Sequence, residues 1–262
     1  MPIELRTVRA TRYVTPFREG GSLPGLCEAD DEGLYVVKFR GAGQGPKALV
    51  AEVIAGELAR ALGLPVPELT LVELDPALGA GEPLIEVREL LERSAGLNLG
   101  VDFLPGALPF APAVGPRPSS AQAAEIVWFD GLVMNPDRSA RNVNLLTWHG
   151  TTYCIDHGAA LYIHHRWDKP AEHARGAFPR IREHVLLALA SSIVDADARL
   201  APKVTPALLE NVVAAVPEAW LADQQTFGGL AQNRQAYVDY LLARLQAPRS
   251  FVEEAERART GT

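Results

Sequence analysis

The apolar residues follow two different periods, and the change between them divides the chain into a strand-rich part and a helical part. Strands are predicted where large or β-branched residues cluster, at residues 3–14, 33–39, 69–74 and 84–90. Helical spacing of apolar residues predicts helices over residues 46–62, 119–134, 180–191, 206–216, 231–245 and 249–259. The boundary between the two parts is expected in a connector at residues 98–105.

The segment Asn-Pro-Asp-Arg-Ser-Ala-Arg-Asn, residues 135–142, carries the most specific spacing in the chain. It is followed by two short apolar runs around His149-Gly150, a pattern that predicts a β-hairpin ending at Asp156. Because antiparallel pairing brings the ends of a hairpin together, Asn142 and Asp156 are expected to present oxygen ligands close to each other. Asp137 would lie beside them.

This combination is typical of phosphoryl transfer, which needs Mg²⁺ on the phosphate oxygens and a carboxylate that orients the attacking hydroxyl. Asp137 is predicted to be that carboxylate, with Asn142 and Asp156 as metal ligands. Each piece also has a structural interpretation, since Asn-Pro-Asp is a common turn and Asp-His-Gly can simply close a strand. Together with a lysine on an upstream strand, the pieces favour catalysis.

That lysine is Lys38, near the end of a strand with two apolar faces. A charge in this position needs either the strand end or a buried partner. In a kinase the lysine neutralises the α- and β-phosphates and pairs with a glutamate of the next helix. The alternative is an edge-strand lysine that prevents further strand pairing.

The helix predicted at residues 46–62 offers two glutamates as that partner. It has a proline in its first turn and Gly63 as its stop. Glu57 falls near the centre of the apolar face, whereas Glu52 lies on a strip of small residues that permits close approach of another element. Helical periodicity leaves the choice between them open.

A glycine-rich stretch at residues 20–25 precedes the Lys38 strand, where a nucleotide-covering loop belongs. Its backbone N–H groups, including those of Gly21 and Ser22, could bind phosphates, although a plain hairpin turn would have a similar sequence. Ser22 is a candidate for self-phosphorylation. A second glycine cluster, at residues 41–45, fits neither the dinucleotide nor the P-loop motif and is interpreted as a flexible connection.

Lys38, residues 52–67, the loop 137–142 and Asp156 together resemble the HipA-like kinase family, over roughly residues 20–200. The resemblance implies an α+β, two-lobed protein-kinase-like fold, with a β-rich small lobe at residues 1–100 and a mainly helical large lobe at residues 101–262. It also implies use of ATP and Mg²⁺, phosphorylation of serine or threonine in a protein, and Glu52 as the partner of Lys38.

Two departures from known kinases accompany the resemblance. Full-length toxins of the family carry an N-terminal subdomain that this sequence lacks, so only the kinase core is matched. The sequence decides neither a toxin role nor an antitoxin-like partner. The triplet at 156–158 is Asp-His-Gly rather than the Asp-Phe-Gly of common protein kinases, which keeps the metal ligand. Arg138, directly after the proposed base, is interpreted either as a phosphate ligand or as a solvated side chain.

Further contacts to ATP are expected in the connector between the lobes, where the adenine edge would meet the backbone of Asp102, Phe103 and Leu104. Residues 105–118 are rich in proline and are predicted to form a surface loop.

Composition excludes several other classes of protein. With 262 residues and 48% hydrophobic content, the chain is large enough for a substantial core. A net charge of −7 with dispersed basic residues argues against nucleic-acid binding. The sequence shows neither a membrane-length apolar run nor an apolar signal segment, which predicts a cytoplasmic protein. Cys27 and Cys154 are expected to be free thiols, and the six histidines do not have zinc-site spacing.

Two other functions share these sequence features. A small-molecule phosphotransferase would use the same Asp-x-x-x-x-Asn loop. A nucleotide-binding scaffold without turnover is a third candidate, although a scaffold has no chemical need for Lys38, Asp137, Asn142 and Asp156 together.

Overall fold

The structure is a computed structural model that describes residues 3–17, 23–43, 45–221 and 226–261. The chain divides into two compact units, each considered by itself. The barrel unit comprises Glu4–Val50 and Pro67–Pro105, and the helical unit comprises Met1–Ile3, Ala51–Val66 and Gly106–Thr262. Helix α1 (Pro46–Ala61), which closely matches its predicted bounds, begins in the barrel unit and continues into the helical unit.

The barrel unit is built on a closed β-barrel. Its strands are β1 (Thr7–Pro16), β2 (Gly25–Ala29), β3 (Leu34–Lys38), β4 (Leu69–Leu74) and β5 (Gly96–Asp102). They follow the order β1-β2-β3-β5-β4, and the parallel pairing of β1 with β4 closes the barrel. Side chains alternate along β3, where Tyr35 and Val37 are buried. Burial alternates in the same way along β2, so every second residue of these two strands contributes to the core of the barrel unit.

Residues 84–90, predicted to be a strand, belong to helix α2 (Ile85–Arg93) instead. Val87, Leu90 and Leu91 are buried in the core of the barrel unit. Their spacing of three and four residues is that of a helix face, and Ile85 is exposed. The strand prediction was wrong because it took the apolar residues as a run and did not weigh the charged residues between them.

The connector predicted at residues 98–105 also differs from the structure, because most of it is strand β5. This strand pairs with both β3 and β4, so it lies inside the sheet. Asn98 is buried, and its side chain accepts the Arg40 N–H at 2.9 Å and donates to the carbonyl of Ser94 at 2.8 Å. Gly100 allows Val72 of β4 to approach the backbone closely.

The helical unit is organised around helix α3 (Ser120–Val133), which is buried along most of its length. Ser119 caps it by accepting the Gln122 N–H at 3.1 Å, as the serine before an apolar run predicts. The unit also contains a small sheet of β6 (Leu108–Pro109), β7 (Leu145–Trp148) and β8 (Thr151–Cys154). The remaining helices are α4 (Pro170–Arg175), α5 (Ile193–Leu200), α6 (Pro206–Ala214), α7 (Glu218–Leu221), α8 (Leu230–Arg244) and α9 (Ser250–Thr260).

The predicted helices at 119–134, 206–216, 231–245 and 249–259 are confirmed, but the one at 180–191 is not. Residues there form only short 3₁₀ turns, Pro179–Glu183 and Leu187–Leu189. Between the turns, the Val185 N–H donates to the carbonyl of Arg138 at 3.0 Å. Because this backbone group binds another segment, it is not available for a continuous helix.

Two expectations from composition can be compared with the described residues. Cys27 and Cys154 are free and buried, as predicted. Among the residues that the structure describes, none of the helices combines the length and the apolar character needed to cross a membrane.

The fit of β5 between its neighbours gives a test of the barrel. A Cβ at position 100 would lie 2.6 Å from Cγ2 of the buried Val72 and 3.3 Å from Cβ of Tyr35. Gly100→Ala should therefore lower the free energy of unfolding by about 1–3 kcal/mol in urea denaturation. Gly81→Ala is the control, since no atom lies within 4 Å of its Cβ position, and it should change stability by less than about 0.5 kcal/mol. Equal stabilities of the two variants would contradict this packing.

Candidate active site

The residues predicted to bind or react fall into both units. The helical unit contains Glu52, Asp137, Asn142 and Asp156, and the barrel unit contains Lys38, Asp102, Phe103 and Leu104. Gly21 and Ser22, the predicted phosphate-loop residues, lie outside the described residues.

Helix α3 delivers the loop that carries Asp137. The helix ends at Val133, and Met134 turns the chain with a φ of 54°. The Asn135 N–H donates back to the Asp130 carbonyl at 2.9 Å. The Asn135 side chain then accepts the Asp137 N–H at 3.0 Å and donates to Asp130 Oδ1 at 3.1 Å. This Asx turn fixes the backbone of Asp137 and leaves its side chain partly exposed.

The predicted hairpin is confirmed by strands β7 and β8. His149 and Gly150 form its turn with φ values of 46° and 79°, the left-handed conformations that a two-residue type I′ turn requires. At the other end, the Ile155 N–H donates to the Asn144 carbonyl at 3.1 Å. Asn142 and Asp156 flank this closing hydrogen bond, so the hairpin brings their backbones to the same end.

Two further features tie this end of the hairpin to the loop. The Asn144 side chain donates to the Asp137 carbonyl at 2.6 Å, and the Ser139 N–H donates to the Asn142 carbonyl at 2.8 Å.

Asp156 has a φ of 58°, which is unfavourable for a non-glycine residue. Backbone of this kind persists only where the surroundings hold it, and it is frequent at functional sites.

Arg138 is fully buried, which contradicts both interpretations made from the sequence. Its guanidinium pairs with the equally buried Asp130, with Nε 2.5 Å from Oδ2. Its Nη1 donates to the carbonyl of Asn144 and, at 3.3 Å, to that of Ile155. The side chain is therefore neither solvated nor open to a phosphate, because Asp130 and the two ends of the hairpin occupy its donors.

His184 is the second basic side chain in contact with Asp130. Its Nε2 lies 2.9 Å from Asp130 Oδ2, while its Nδ1 accepts the Leu186 N–H at 3.1 Å. A ring that accepts at Nδ1 and donates from Nε2 is neutral. Burial lowers the pKa of His184, although the neighbouring carboxylate acts in the opposite direction.

The charges of Asp130 and Arg138 stabilise each other. Burial acts to raise the pKa of Asp130, but Arg138 and His184 outweigh it and hold that pKa well below the usual range. Burial acts to lower the pKa of Arg138, and Asp130 outweighs that effect and raises it. Both groups are therefore ionised at neutral pH, and their charges are compensated inside the protein.

Glu52 and Glu57 of α1 have different surroundings within the helical unit. Glu52 is buried, and its Oε2 lies 3.8 Å from Nδ1 of His157, the residue after Asp156. Glu57 lies 3.5 Å from Nε of Arg60 on its own helix. Of the two glutamates, Glu52 therefore lies near the segment that contains Asp156, and its pairing with Lys38 stays a prediction.

In the barrel unit, Lys38 is the last residue of β3 and lies opposite Leu99 of β5. At the end of β5, the Asp102 N–H donates to Glu68 O at 2.9 Å, and the Phe103 N–H donates to Leu34 O at 3.0 Å. These two N–H groups are therefore committed within the barrel unit. Binding of an adenine edge at this segment would use its carbonyl groups or the N–H of Leu104.

The donor set at the hairpin end suits a hard divalent cation. Asn142 is exposed and Asp156 half-buried, and both offer oxygen atoms. In the described part of the chain, no three His, Cys, Asp or Glu side chains gather in a way that could hold a metal ion. Two oxygen ligands fit Mg²⁺, which keeps several waters and binds through one or two protein groups plus substrate phosphates.

Sequence reasoning missed three residues that support this site, namely Asp130, Asn144 and His184. Asp130 carried a usable signal, since an aspartate in an otherwise apolar helix needs a buried partner. Asn144 and His184 carried none, because their roles depend on contacts with residues that only the folded chain brings near.

Two comparisons identify similar proteins. A model of the HipA-like kinase family matches residues 11–253. The crystal structure of the Helicobacter pylori proinflammatory kinase CtkA is similar with a TM-score of 0.55 and 13% sequence identity, covering 97% of this chain and 98% of that one. Identity this low shows the fold alone, and it confirms the predicted two-lobed kinase-like α+β fold. None of the curated proteins matches significantly.

The neutral state of His184 predicts a pH dependence of stability. Its pKa in the unfolded chain is about 6.5 and is lower in the folded protein. Below pH 6.5 the unfolded chain therefore binds a proton that the folded chain does not, and the free energy of unfolding falls by at most about 1.4 kcal/mol per pH unit. Above about pH 7.5 His184 is neutral in both states, so its effect on the free energy of unfolding no longer changes with pH.

His184→Gln removes the titration and keeps a donor toward Asp130. Chemical denaturation of both proteins between pH 5 and 8 measures the difference between their free energies of unfolding. Titration of the other histidines contributes equally to both proteins and so cancels in this difference. The wild type should lose more stability than the variant as the pH falls. Parallel curves for the two proteins would show that His184 is not held neutral.

Proposed function

The chain belongs to the HipA-like kinase family and is a kinase, and on that premise we propose that it transfers the γ-phosphoryl group of ATP to serine or threonine of a protein. The observation that carries the proposal is the hairpin end closed by the backbone hydrogen bond from Ile155 to Asn144, next to Asp156 and two residues after Asn142. The Asn144 side chain links this end to Asp137. A base and two oxygen ligands are the groups that phosphoryl transfer requires.

Asp137 has the role of the catalytic base. The Asx turn binds the N–H of Asp137, and the Asn144 side chain binds its carbonyl. The backbone that carries the partly exposed carboxylate is therefore fixed, and the carboxylate can be directed at an acceptor hydroxyl. It orients that hydroxyl and accepts its proton as the phosphoryl group is transferred.

Asn142 and Asp156 would hold the divalent metal, for which we propose Mg²⁺ because both ligands are oxygen atoms. When bound, the metal supplies positive charge to the phosphate oxygens. Asp156 is held for this role by the closed hairpin end on one side and by the buried His157 on the other.

The barrel unit would supply the nucleotide contacts, with the small lobe at residues 1–100 and the large lobe at 101–262. Lys38 is proposed to neutralise the ATP phosphates with Glu52 as its partner, and Gly21 and Ser22 to cover them. The segment from Asp102 to Leu104 would meet the adenine. These assignments rest on the family and on the positions of the residues in the sequence.

The proposed base gives a direct prediction. Asp137→Asn should lower phosphoryl transfer at least about 100-fold, because it removes the proton acceptor, and should leave binding of a fluorescent ATP analogue near that of the wild type. Asp239→Asn, an exposed aspartate of α8, is the control and should retain activity.

In the assay, the purified protein or its variant is incubated with γ-labelled ATP and host lysate. The mixture is then separated into protein and small-molecule fractions. Label in serine or threonine of protein supports the proposal. Label confined to small molecules would identify a small-molecule kinase, and undiminished transfer by Asp137→Asn would show that the base is misassigned.

The metal ligands give a second prediction. Asp156→Asn should weaken the Mg²⁺-dependent part of ATP-analogue binding more than about tenfold, since even outer-shell partners of metal sites contribute that much. Asp137→Asn and the Asp239→Asn control should retain it. Titration of Mg²⁺ at fixed analogue concentration measures the effect, and an unchanged Mg²⁺ midpoint in Asp156→Asn would remove this residue from the metal site.

A further inference from the structure

The side chain of Arg138 joins three parts of the helical unit. It pairs with Asp130 of helix α3, and it donates to the carbonyls of Asn144 and Ile155. Asn144 precedes β7 and Ile155 follows β8, so one guanidinium binds both ends of the hairpin. Its own backbone carbonyl accepts the Val185 N–H at 3.0 Å, which adds the segment around His184.

The two carbonyls bound by Arg138 lie next to the proposed metal ligands. Ile155 is bonded directly to Asp156, and Asn144 is two residues from Asn142. Arg138 also follows Asp137 directly. Loss of the guanidinium contacts would therefore displace the proposed base Asp137 through the main chain. It would displace the two proposed metal ligands through the ends of the hairpin.

We propose that Arg138 is a positioning residue, which sets the spacing of Asn142 and Asp156 for the metal by binding both ends of the hairpin, with Asp130 holding its charge in place. This inference rests on the proposed function and extends it to residues that do not touch the substrate. The planar guanidinium directs Nε and Nη2 at the Asp130 carboxylate and Nη1 at the two carbonyls, so it holds the three groups at fixed separations. A lysine ammonium is a compact group with three donors on one nitrogen and cannot reproduce that spacing.

A purely structural role would predict a different result. Loss of any buried arginine destabilises the fold, but loss of Arg138 should in addition weaken metal binding. Arg244 provides the matched control. It is equally buried, and it donates to Leu132 O at 2.8 Å, Gly131 O at 2.6 Å and Ala174 O at 3.1 Å, none of which belongs to the hairpin.

The experiment compares Arg138→Lys with Arg244→Lys. Binding of Mn²⁺ in the presence of a non-hydrolysable ATP analogue is followed by electron paramagnetic resonance, and thermal unfolding of each variant is measured without ligand. Arg138→Lys should weaken Mn²⁺ binding about tenfold or more, the effect typical of outer-shell partners. Arg244→Lys should lower the unfolding temperature similarly and change Mn²⁺ binding less than about twofold.

A second variant applies if Arg138→Lys does not fold. The double substitution Asp130→Leu/Arg138→Met removes both charges together, a change that buried ion pairs often tolerate. It still loses the bonds to the hairpin ends, so it should bind Mn²⁺ about tenfold more weakly or worse.

The outcomes separate this inference from the proposed function. Wild-type Mn²⁺ affinity in a folded Arg138 variant, or equal weakening in Arg244→Lys, would overturn the positioning role and leave the kinase assignment intact. A wild-type protein that binds no Mn²⁺ with the nucleotide analogue would overturn the metal site and the positioning role with it.

Discussion

The buried ion pair between Arg138 and Asp130 is the interaction that joins helix α3 to the loop of Asp137 and, through Arg138, to both ends of the hairpin. Removing two charges from water costs several kcal/mol per ion, so such a pair persists only when its hydrogen bonds are complete. Here Asp130 accepts from Arg138, His184 and Asn135, and the arginine also reaches two carbonyls. Breaking such a pair by removing one partner typically costs about 3–5 kcal/mol, which explains how it can fix a loop in one conformation.

The rest of the helical unit holds the two charges where they are needed. Asp130 is placed by α3, which is apolar on nearly all sides and therefore central in the core. Phe251 of α9 packs against Gly131, the residue directly after Asp130. The helix can thus present a rigid end from which the loop with Asp137 begins. Functional side chains on a loop are positioned in this way by the rigid secondary structure that supports the loop.

Local signals predicted the parts of this structure that local forces determine. The hairpin followed from His149-Gly150 between two apolar runs, and α1 and α3 followed from their caps and apolar faces. Residues 84–90 were assigned wrongly because their helical spacing was taken as a run of apolar residues. Residues 180–191 were assigned wrongly because a backbone hydrogen bond to Arg138 overrides the local pattern. The role of Arg138 was beyond sequence reasoning, since the same residue after an aspartate could be solvated, phosphate-bound or buried, and only tertiary contacts decide between them.

The central claim is that Lys38, Asp137, Asn142 and Asp156 serve one nucleotide and its metal. A crystal structure with Mg²⁺ and a non-hydrolysable ATP analogue tests it most directly. The account predicts a metal bound by Asn142 and Asp156, phosphates in contact with Lys38, and the carboxylate of Asp137 facing the γ-phosphate. A nucleotide bound elsewhere, or phosphates and metal that touch none of these four side chains, would contradict it.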